Sequence, residues 1–95
     1  MDFKLSIANE IIDAAARAFG GAEHVAADIA AALEIPPSAE LGDYAFPCFK
    51  LSKSLRKSPM MISDALAAEI RADYLSRVES VKGYLNFFID RATYA

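Results

Sequence analysis

Apolar residues recur every three or four positions between about Asp2 and Phe19, and polar residues fill most of the positions between them. This spacing puts the apolar side chains on one face, so the segment is predicted to be an amphipathic helix. Gly20 and Gly21 follow, and glycine commonly ends a helix because it adopts the left-handed conformation without strain. The side chains predicted to face the core are Ile7, Ala8, Ile11, Ile12, Ala15, Ala18 and Phe19.

A shorter, alanine-rich helix is predicted from about Ala22 to Ala32, with a loop as the alternative. The alternation of Leu33-Glu34-Ile35 then predicts a short strand. Pro36-Pro37 stops that strand, because proline cannot donate a hydrogen bond to a neighbouring strand. The apolar stripe of the helix is expected to consist of Val25, Ile29 and Leu33.

A turn-rich loop over residues 38–44 precedes the next predicted helix, which runs from about Ala45 to Lys57. Pro47 suits the first turn of that helix, where a missing N–H costs nothing. Asp43 is the expected cap. Apolar side chains fall on one side of the helix, and Cys48 among them is predicted to be a small buried residue, not a nucleophile.

A further helix is predicted to begin at Ser58-Pro59, a capping serine followed by a proline at the first helical position, and to run to about Asp73. Its inward-facing residues are predicted to be Ile62, Ala65, Leu66 and Ile70, with Met60 and Met61 at the edge of the core.

Two strands are predicted at the end of the chain, about Arg77–Lys82 and Tyr84–Asp90, with Lys82-Gly83 as a tight hairpin turn. The order of elements predicts an α+β fold in which three to four helices pack on a small antiparallel sheet. In the last strand, alternation separates two faces. One face carries Leu85, Phe87 and Ile89, and the other carries Tyr84, Asn86 and Phe88.

Composition narrows the possible functions. The 95 residues predict one domain, and 55% hydrophobic residues favour a globular chain over a disordered one. No apolar run approaches the roughly 20 residues of a membrane span, and the N-terminus lacks a signal-peptide pattern. One cysteine and one histidine, Cys48 and His24, exclude an internal disulfide and a histidine-rich metal site. A cytoplasmic, monomeric domain is expected, without a catalytic constellation or a metal site.

The net charge of −3 argues against nucleic-acid binding, but the distribution of charge changes this interpretation. No acidic residue lies between Asp43 and Asp64. At about 100° per residue, Lys50, Lys53 and Lys57 cluster opposite the apolar side of their predicted helix. Such a row can follow a phosphate backbone, and the alternative is an ordinary solvated lysine face.

Tyr84 and Asn86 form a second candidate pair, because residues two apart on a strand project to the same side. An aromatic ring can stack on an unpaired base while an amide hydrogen-bonds its edge, as in single-stranded RNA recognition. The alternative is a half-buried tyrosine beside a strand-end asparagine. Lys82, in the adjoining turn, is a further candidate RNA contact.

Lys50-Leu51-Ser52-Lys53-Ser54 is similar to the Lys-Met-Ser-Lys-Ser signature of class I aminoacyl-tRNA synthetases, a mobile loop that stabilises ATP phosphates. The run fits a helical pattern here, and His24-Val25-Ala26-Ala27 does not match the His-Ile-Gly-His-type motif of those enzymes. Only about fifty residues precede the lysines, too few for a nucleotide-binding sheet. A small ATP-using enzyme is therefore the least favoured of the hypotheses.

Three ordered segments together resemble the N-terminal additional domain of arginyl-tRNA synthetases. They are Glu34-Ile35-Pro36-Pro37 with Glu40-Leu41-Gly42-Asp43-Tyr44-Ala45-Phe46-Pro47, the Ser58-Pro59 helix start, and Gly83-Tyr84-Leu85-Asn86-Phe87-Phe88. The resemblance implies helices around a small antiparallel sheet that contacts the outer corner of the tRNA, mainly the D-loop. It also implies that the aromatic and amide residues of the last strand, Tyr84 and Asn86, contact bases. The lysine row is inferred from the residues alone.

In that family a catalytic domain follows the last strand, whereas this sequence stops at Ala95. Residues 1–95 are thus expected to be the tRNA-binding domain alone, either a piece of a longer synthetase or a freestanding relative. The resemblance implies that the parent enzyme joins arginine to tRNA with ATP and magnesium, while this chain needs no cofactor. Its expected partners are tRNA and the remainder of the synthetase. The alternative is a freestanding protein-interaction module that uses the Tyr84/Phe88 face.

Overall fold

Among the residues that the computed structural model describes, four α-helices pack on one face of a three-stranded antiparallel sheet, which confirms the predicted α+β fold. The structure describes residues 2–20, 26–90 and 92. The helices are α1 (Phe3–Phe19), α2 (Ala26–Ala32), α3 (Phe49–Leu55) and α4 (Pro59–Glu69). The strands are β1 (Tyr44–Pro47), β2 (Leu75–Val81) and β3 (Tyr84–Ile89), in the spatial order β1-β3-β2.

Helix α1 follows its sequence pattern closely. Asp2 caps it by accepting a hydrogen bond from the Leu5 N–H, and Gly20 ends it in the left-handed conformation, as predicted. Ala14 is buried, whereas Ala18, expected in the core, is exposed. In the second predicted helix, residues 22–25 lie outside the described part of the chain. The predicted core residues Ile29 and Leu33 are both buried.

The prediction of a helix from Ala45 to Lys57 is wrong at its beginning. Tyr44–Pro47 forms an edge strand that pairs with β3, placing Ala45 opposite Asn86 and Pro47 opposite Tyr84. An edge strand tolerates proline because one side of its backbone needs no partner. The predicted strand at Leu33–Ile35 is reduced to a single bridge, in which the backbones of Glu34 and Ala45 exchange two hydrogen bonds of 2.8 Å.

Asp43 does not cap a helix. Its Oδ2 accepts a hydrogen bond from the Ile89 N–H at 2.8 Å, and its own N–H donates to the Phe87 carbonyl at 2.8 Å. The residue therefore extends the pairing with β3 by one position before the first residue of β1. Immediately before it, Gly42 has φ +98°, and a Cβ at Gly42 would lie 2.8 Å from the Phe87 oxygen.

Helix α4 begins as predicted, because Ser58 Oγ accepts a hydrogen bond from the Met61 N–H and Pro59 occupies the first turn. The helix ends at Glu69, four residues earlier than Asp73, because Ile70 is extended. Met60 and Met61 were expected at the core edge, but both are largely exposed. The inward residues Ile62, Leu66 and Ile70 are buried as predicted, while Ala65 is half-buried.

The hairpin is as predicted, since Lys82 and Gly83 both have positive φ (51° and 83°), the combination that suits a two-residue turn between twisted strands. Strand β3 lies in the centre of the sheet, so its inner residues Leu85 and Phe87 are fully buried under the helices. Its other face is turned away from the helices and carries the candidate base-contacting residues.

Candidate RNA-binding groove

A groove of about 450 Å³ lies on the face of the sheet away from the helices. That volume falls within the roughly 300–1,000 Å³ typical of small-molecule pockets. The loop that follows α2 forms one wall, and the hairpin end of the sheet forms the floor and the other wall. The lining residues are Glu34, Pro36, Pro37, Leu41, Ala45, Val81, Lys82, Tyr84 and Asn86.

Asn86 is the most unusual residue of this groove. It is a polar residue in the middle of the central strand, with only 4% of its surface exposed. Within the described ranges 2–20, 26–90 and 92, no hydrogen bond joins its side-chain amide to another residue. The amide atoms are not among the buried, unpaired side-chain atoms of the described residues, so they are open to the groove. A ligand in the groove can therefore hydrogen-bond the amide without displacing a protein partner.

Tyr84 borders Asn86 on the same face, at the hairpin end of β3. Tyr84 is 36% exposed, which leaves part of the phenol ring accessible from the groove. Its strand partners are Pro47 and Val81, so its backbone is paired on both sides. An aromatic ring placed in this way can stack on a flat, unsaturated ligand.

The rim of the groove carries charges of both signs. Lys82 lies in the hairpin turn, and Glu34 lies on the opposite wall. A carboxylate repels phosphate but accepts hydrogen bonds from amino groups. The groove thus suits the edge of a neutral polar ring, with an anionic group directed towards Lys82.

Phe88 shares this face but is not available for a second contact. The Arg77 guanidinium lies over its ring at 4.0 Å from the centroid, and Arg77 also pairs with Glu79 at 3.4 Å. The strand pattern predicts an exposed Phe88 ring beside Asn86, but Arg77 covers part of this ring.

The lysine row is only partly helical. Lys50 and Lys53 lie on α3 and are exposed, as predicted, whereas Lys57 follows the end of the helix. The helix ends early because Arg56 adopts the left-handed conformation, and the Ser52 carbonyl accepts hydrogen bonds from the N–H groups of Arg56 and Lys57. The run Lys50–Ser54 is helical, as expected, so in this structure it does not form a loop.

The hairpin brings part of this basic segment close to the groove. The Cys48 N–H, immediately before α3, donates to the Gly83 carbonyl at 3.0 Å. Lys82, Tyr84 and Asn86 line one groove. The bond from Cys48 to Gly83 places α3, which carries Lys50, beside the hairpin turn. Lys53 lies one helical turn further on, and Lys57 lies beyond the helix.

Cys48 has no access to a substrate. It is fully buried, and burial raises the pKa of its thiol to about 12, against the smaller lowering effect of a backbone hydrogen bond at Leu85. In the described part of the chain, no three histidine, cysteine or acidic side chains are arranged to hold a metal ion. Nor is any helix among these residues long and apolar enough to cross a membrane.

Sequence reasoning missed the second wall of the groove and one neighbouring aromatic residue. Pro36, Pro37 and Leu41 reach the sheet because Glu34 bridges to Ala45, a contact that no local pattern reveals. Phe49 is 56% exposed at the start of α3. The available signal was its position outside the apolar side of that helix.

Comparison with known proteins agrees with this architecture. Residues 3–89 match the family model described as the arginyl tRNA synthetase N terminal domain. The chain therefore belongs to the family of arginyl-tRNA synthetase N-terminal domains.

Similar full-length proteins are arginine–tRNA ligases. The ligase of Clostridium botulinum (strain Alaska E43 / Type E3) is 45% identical over all of this chain, and that of Alkaliphilus metalliredigens is 50% identical over 66% of it. The chain spans 16% and 11% of the lengths of these relatives. The Thermus thermophilus arginyl-tRNA synthetase structure matches 88% of this chain and 13% of its own, with a TM-score of 0.63 and 26% identity.

Proposed function

We propose that this domain binds the D-loop at the outer corner of arginine tRNA and holds an unpaired base in the groove of Tyr84 and Asn86. The observation that carries the proposal is the Asn86 amide, which opens into the groove from the central strand and has no hydrogen-bond partner among the described residues. A nucleobase edge offers both donors and acceptors to an amide. The neighbouring Tyr84 ring supplies a stacking surface for the same base.

The charges support a division of roles between base and phosphate. The acidic wall at Glu34 disfavours a phosphate inside the groove, while Lys82 can attract a phosphate at its rim. Lys50, Lys53 and Lys57 would add backbone contacts, with Lys57 the most remote from the groove. Phosphate contacts position a nucleic acid and base contacts supply specificity.

The proposal also includes the activity of a longer parent protein, which is inferred from the relatives. The chain would act as a non-catalytic appendage of a cytoplasmic arginine–tRNA ligase, joined to the remainder of that synthetase. ATP and magnesium would then serve the catalytic domain and not this one. We expect the 95-residue domain to be monomeric.

The test is an NMR titration of the chain with arginine tRNA and with the same tRNA carrying an altered D-loop. Tyr84→Ala and Asn86→Ala should each weaken D-loop-dependent binding about 5- to 150-fold, the usual effect of losing a base contact. Tyr84→Phe keeps the ring and is the matched control, with affinity expected to stay within about twofold. Normal D-loop-dependent binding by both alanine variants would refute the proposed groove.

The lysines require a different measurement, because phosphate contacts depend on salt. Replacing Lys50 and Lys53 together should weaken binding to all RNAs. It should also lower the slope of log affinity against log salt by up to about 0.7–0.9 for each phosphate that a lysine no longer neutralises. An unchanged slope would remove these two lysines from the interface.

A further inference from the structure

A second exposed aromatic ring lies beside the proposed base-binding groove. Phe49, the first residue of α3, is 56% exposed, and Met60 near the start of α4 is 62% exposed. Large apolar side chains grouped at one end of a small domain often mark a binding surface. Neither residue lines the groove, so this surface is a separate feature.

The backbone brings these side chains together at the hairpin. Cys48 donates its N–H to the Gly83 carbonyl at 3.0 Å, and a Cβ on Gly83 would lie 3.1 Å from the Pro59 Cβ. Cys48, Gly83 and Pro59 are thus in contact, and the residue that follows each of them in the sequence is exposed. The exposed residues are Phe49, Tyr84 and Met60, respectively.

The charge around this surface is positive. The Lys50 ammonium lies over one face of the Phe49 ring, 5.5 Å from its centroid, and Lys53 lies one helical turn beyond Phe49 on the same side. Unlike Phe88, which is half-buried under the nearer Arg77 guanidinium, Phe49 is 56% exposed, so a base can stack on its other face. Lys82 flanks Tyr84 in the hairpin turn. Within ranges 2–20 and 26–90, no ion pair neutralises these three lysines. An accessible ring surrounded by unpaired cations suits an unpaired nucleotide, whose base stacks and whose phosphate is anionic.

We propose that Phe49 is a second stacking site for RNA, which receives a nucleotide next to the one held by Tyr84 and Asn86. Lys50 and Lys53 contact the phosphates of that nucleotide. This inference rests on the proposed function, because Tyr84, which lines the groove, is also one of the exposed side chains next to Phe49. The three unpaired lysines beside the ring favour an anionic nucleotide over an apolar polypeptide surface.

A tryptophan in place of Phe49 provides a direct measurement, because the chain contains none. Phe49→Trp should retain affinity for arginine tRNA, and its fluorescence should be quenched when a base stacks on the indole. The matched control is Leu5→Trp, which places an indole at another exposed apolar position, on α1. Its fluorescence should stay unchanged. Phe49→Ala should bind the same tRNA about 5- to 150-fold more weakly.

The outcomes separate this inference from the proposed function. Full affinity of Phe49→Ala together with unquenched fluorescence of Phe49→Trp would overturn the inference. If Tyr84→Ala nevertheless binds arginine tRNA more weakly, the proposed function of the groove still stands. If Tyr84→Ala also binds normally, the proposed function fails as well. Equal quenching of Phe49→Trp by polyglutamate would overturn the inference too, because the surface would then bind any polyanion.

Discussion

Replacing Gly42 with alanine should destabilise the domain more than replacing Gly20, although both glycines have positive φ. A Cβ at Gly42 would lie 2.8 Å from the Phe87 carbonyl oxygen and 3.3 Å from its carbon. These atoms belong to the backbone of the central strand, which cannot move aside as a flexible side chain can. At Gly20, with φ +81°, the added Cβ would have no neighbour within 4 Å among the described residues.

The difference between the two glycines can be estimated from these contacts. A left-handed conformation costs a residue other than glycine about 1–2 kcal/mol, and the stiffer unfolded chain offsets about 0.4–1 kcal/mol of that cost. Gly20→Ala should therefore lose about 1 kcal/mol. Gly42→Ala must also displace the hydrogen bond from the Asp43 N–H to Phe87, and a group left unpaired costs about 1–3 kcal/mol. We expect a total loss near 3 kcal/mol.

Urea unfolding followed by far-ultraviolet circular dichroism measures both variants against the parent chain. The midpoints should separate while the slopes stay equal, so that the difference reports the folded state. Losses at Gly42 and Gly20 that agree within about 0.5 kcal/mol, the range of ordinary surface substitutions, would refute the close approach of this loop to β3.

Two buried side chains give further predictions. Burial, and then the Glu10 charge, raise the pKa of Tyr74 to about 12, and its hydroxyl has no hydrogen-bond partner within the described part of the chain. Above about pH 10 the unfolded chain loses this proton first, so stability should fall by up to about 1.4 kcal/mol per pH unit. Tyr74→Phe should add about 1 kcal/mol near pH 7 and reduce the alkaline loss; urea titrations that show lower stability would contradict this. The Cys48 thiol, whose pKa is about 12, should react with a disulfide reagent near pH 8 about 1,000-fold more slowly in the native chain than in urea, and equal rates would contradict its burial.

Elements set by local chemistry could be predicted from the sequence. The periodicity of α1, the Ser58-Pro59 helix start and the Lys82-Gly83 turn each depend on residues a few positions apart, and the structure contains all three. Strand alternation also placed Tyr84 and Asn86 on one face, and both line the groove. Their contact with RNA stays a prediction.

The parts that could not be predicted depend on distant pairing. Tyr44–Pro47 precedes a helix, and its local pattern continues that helix; it becomes a strand because β3, some forty residues later, supplies its hydrogen bonds. For the same reason Asp43 bonds to Ile89 instead of a helix end. The outer wall of the groove likewise depends on the bridge between Glu34 and Ala45. None of these contacts has a short-range signature.

Gly83 connects the two proposed binding surfaces. Its positive φ is required by the hairpin turn, and the direction in which a side chain would extend is occupied by Pro59 at 3.1 Å. The missing side chain therefore serves the packing of α4 against the turn, and RNA cannot approach Gly83 from that side. Its carbonyl also binds the Cys48 N–H before α3. Gly83 thus contacts the starts of both α3 and α4 beside Tyr84. The groove and the Phe49 surface should therefore keep a constant spacing, as a site for two adjacent nucleotides requires.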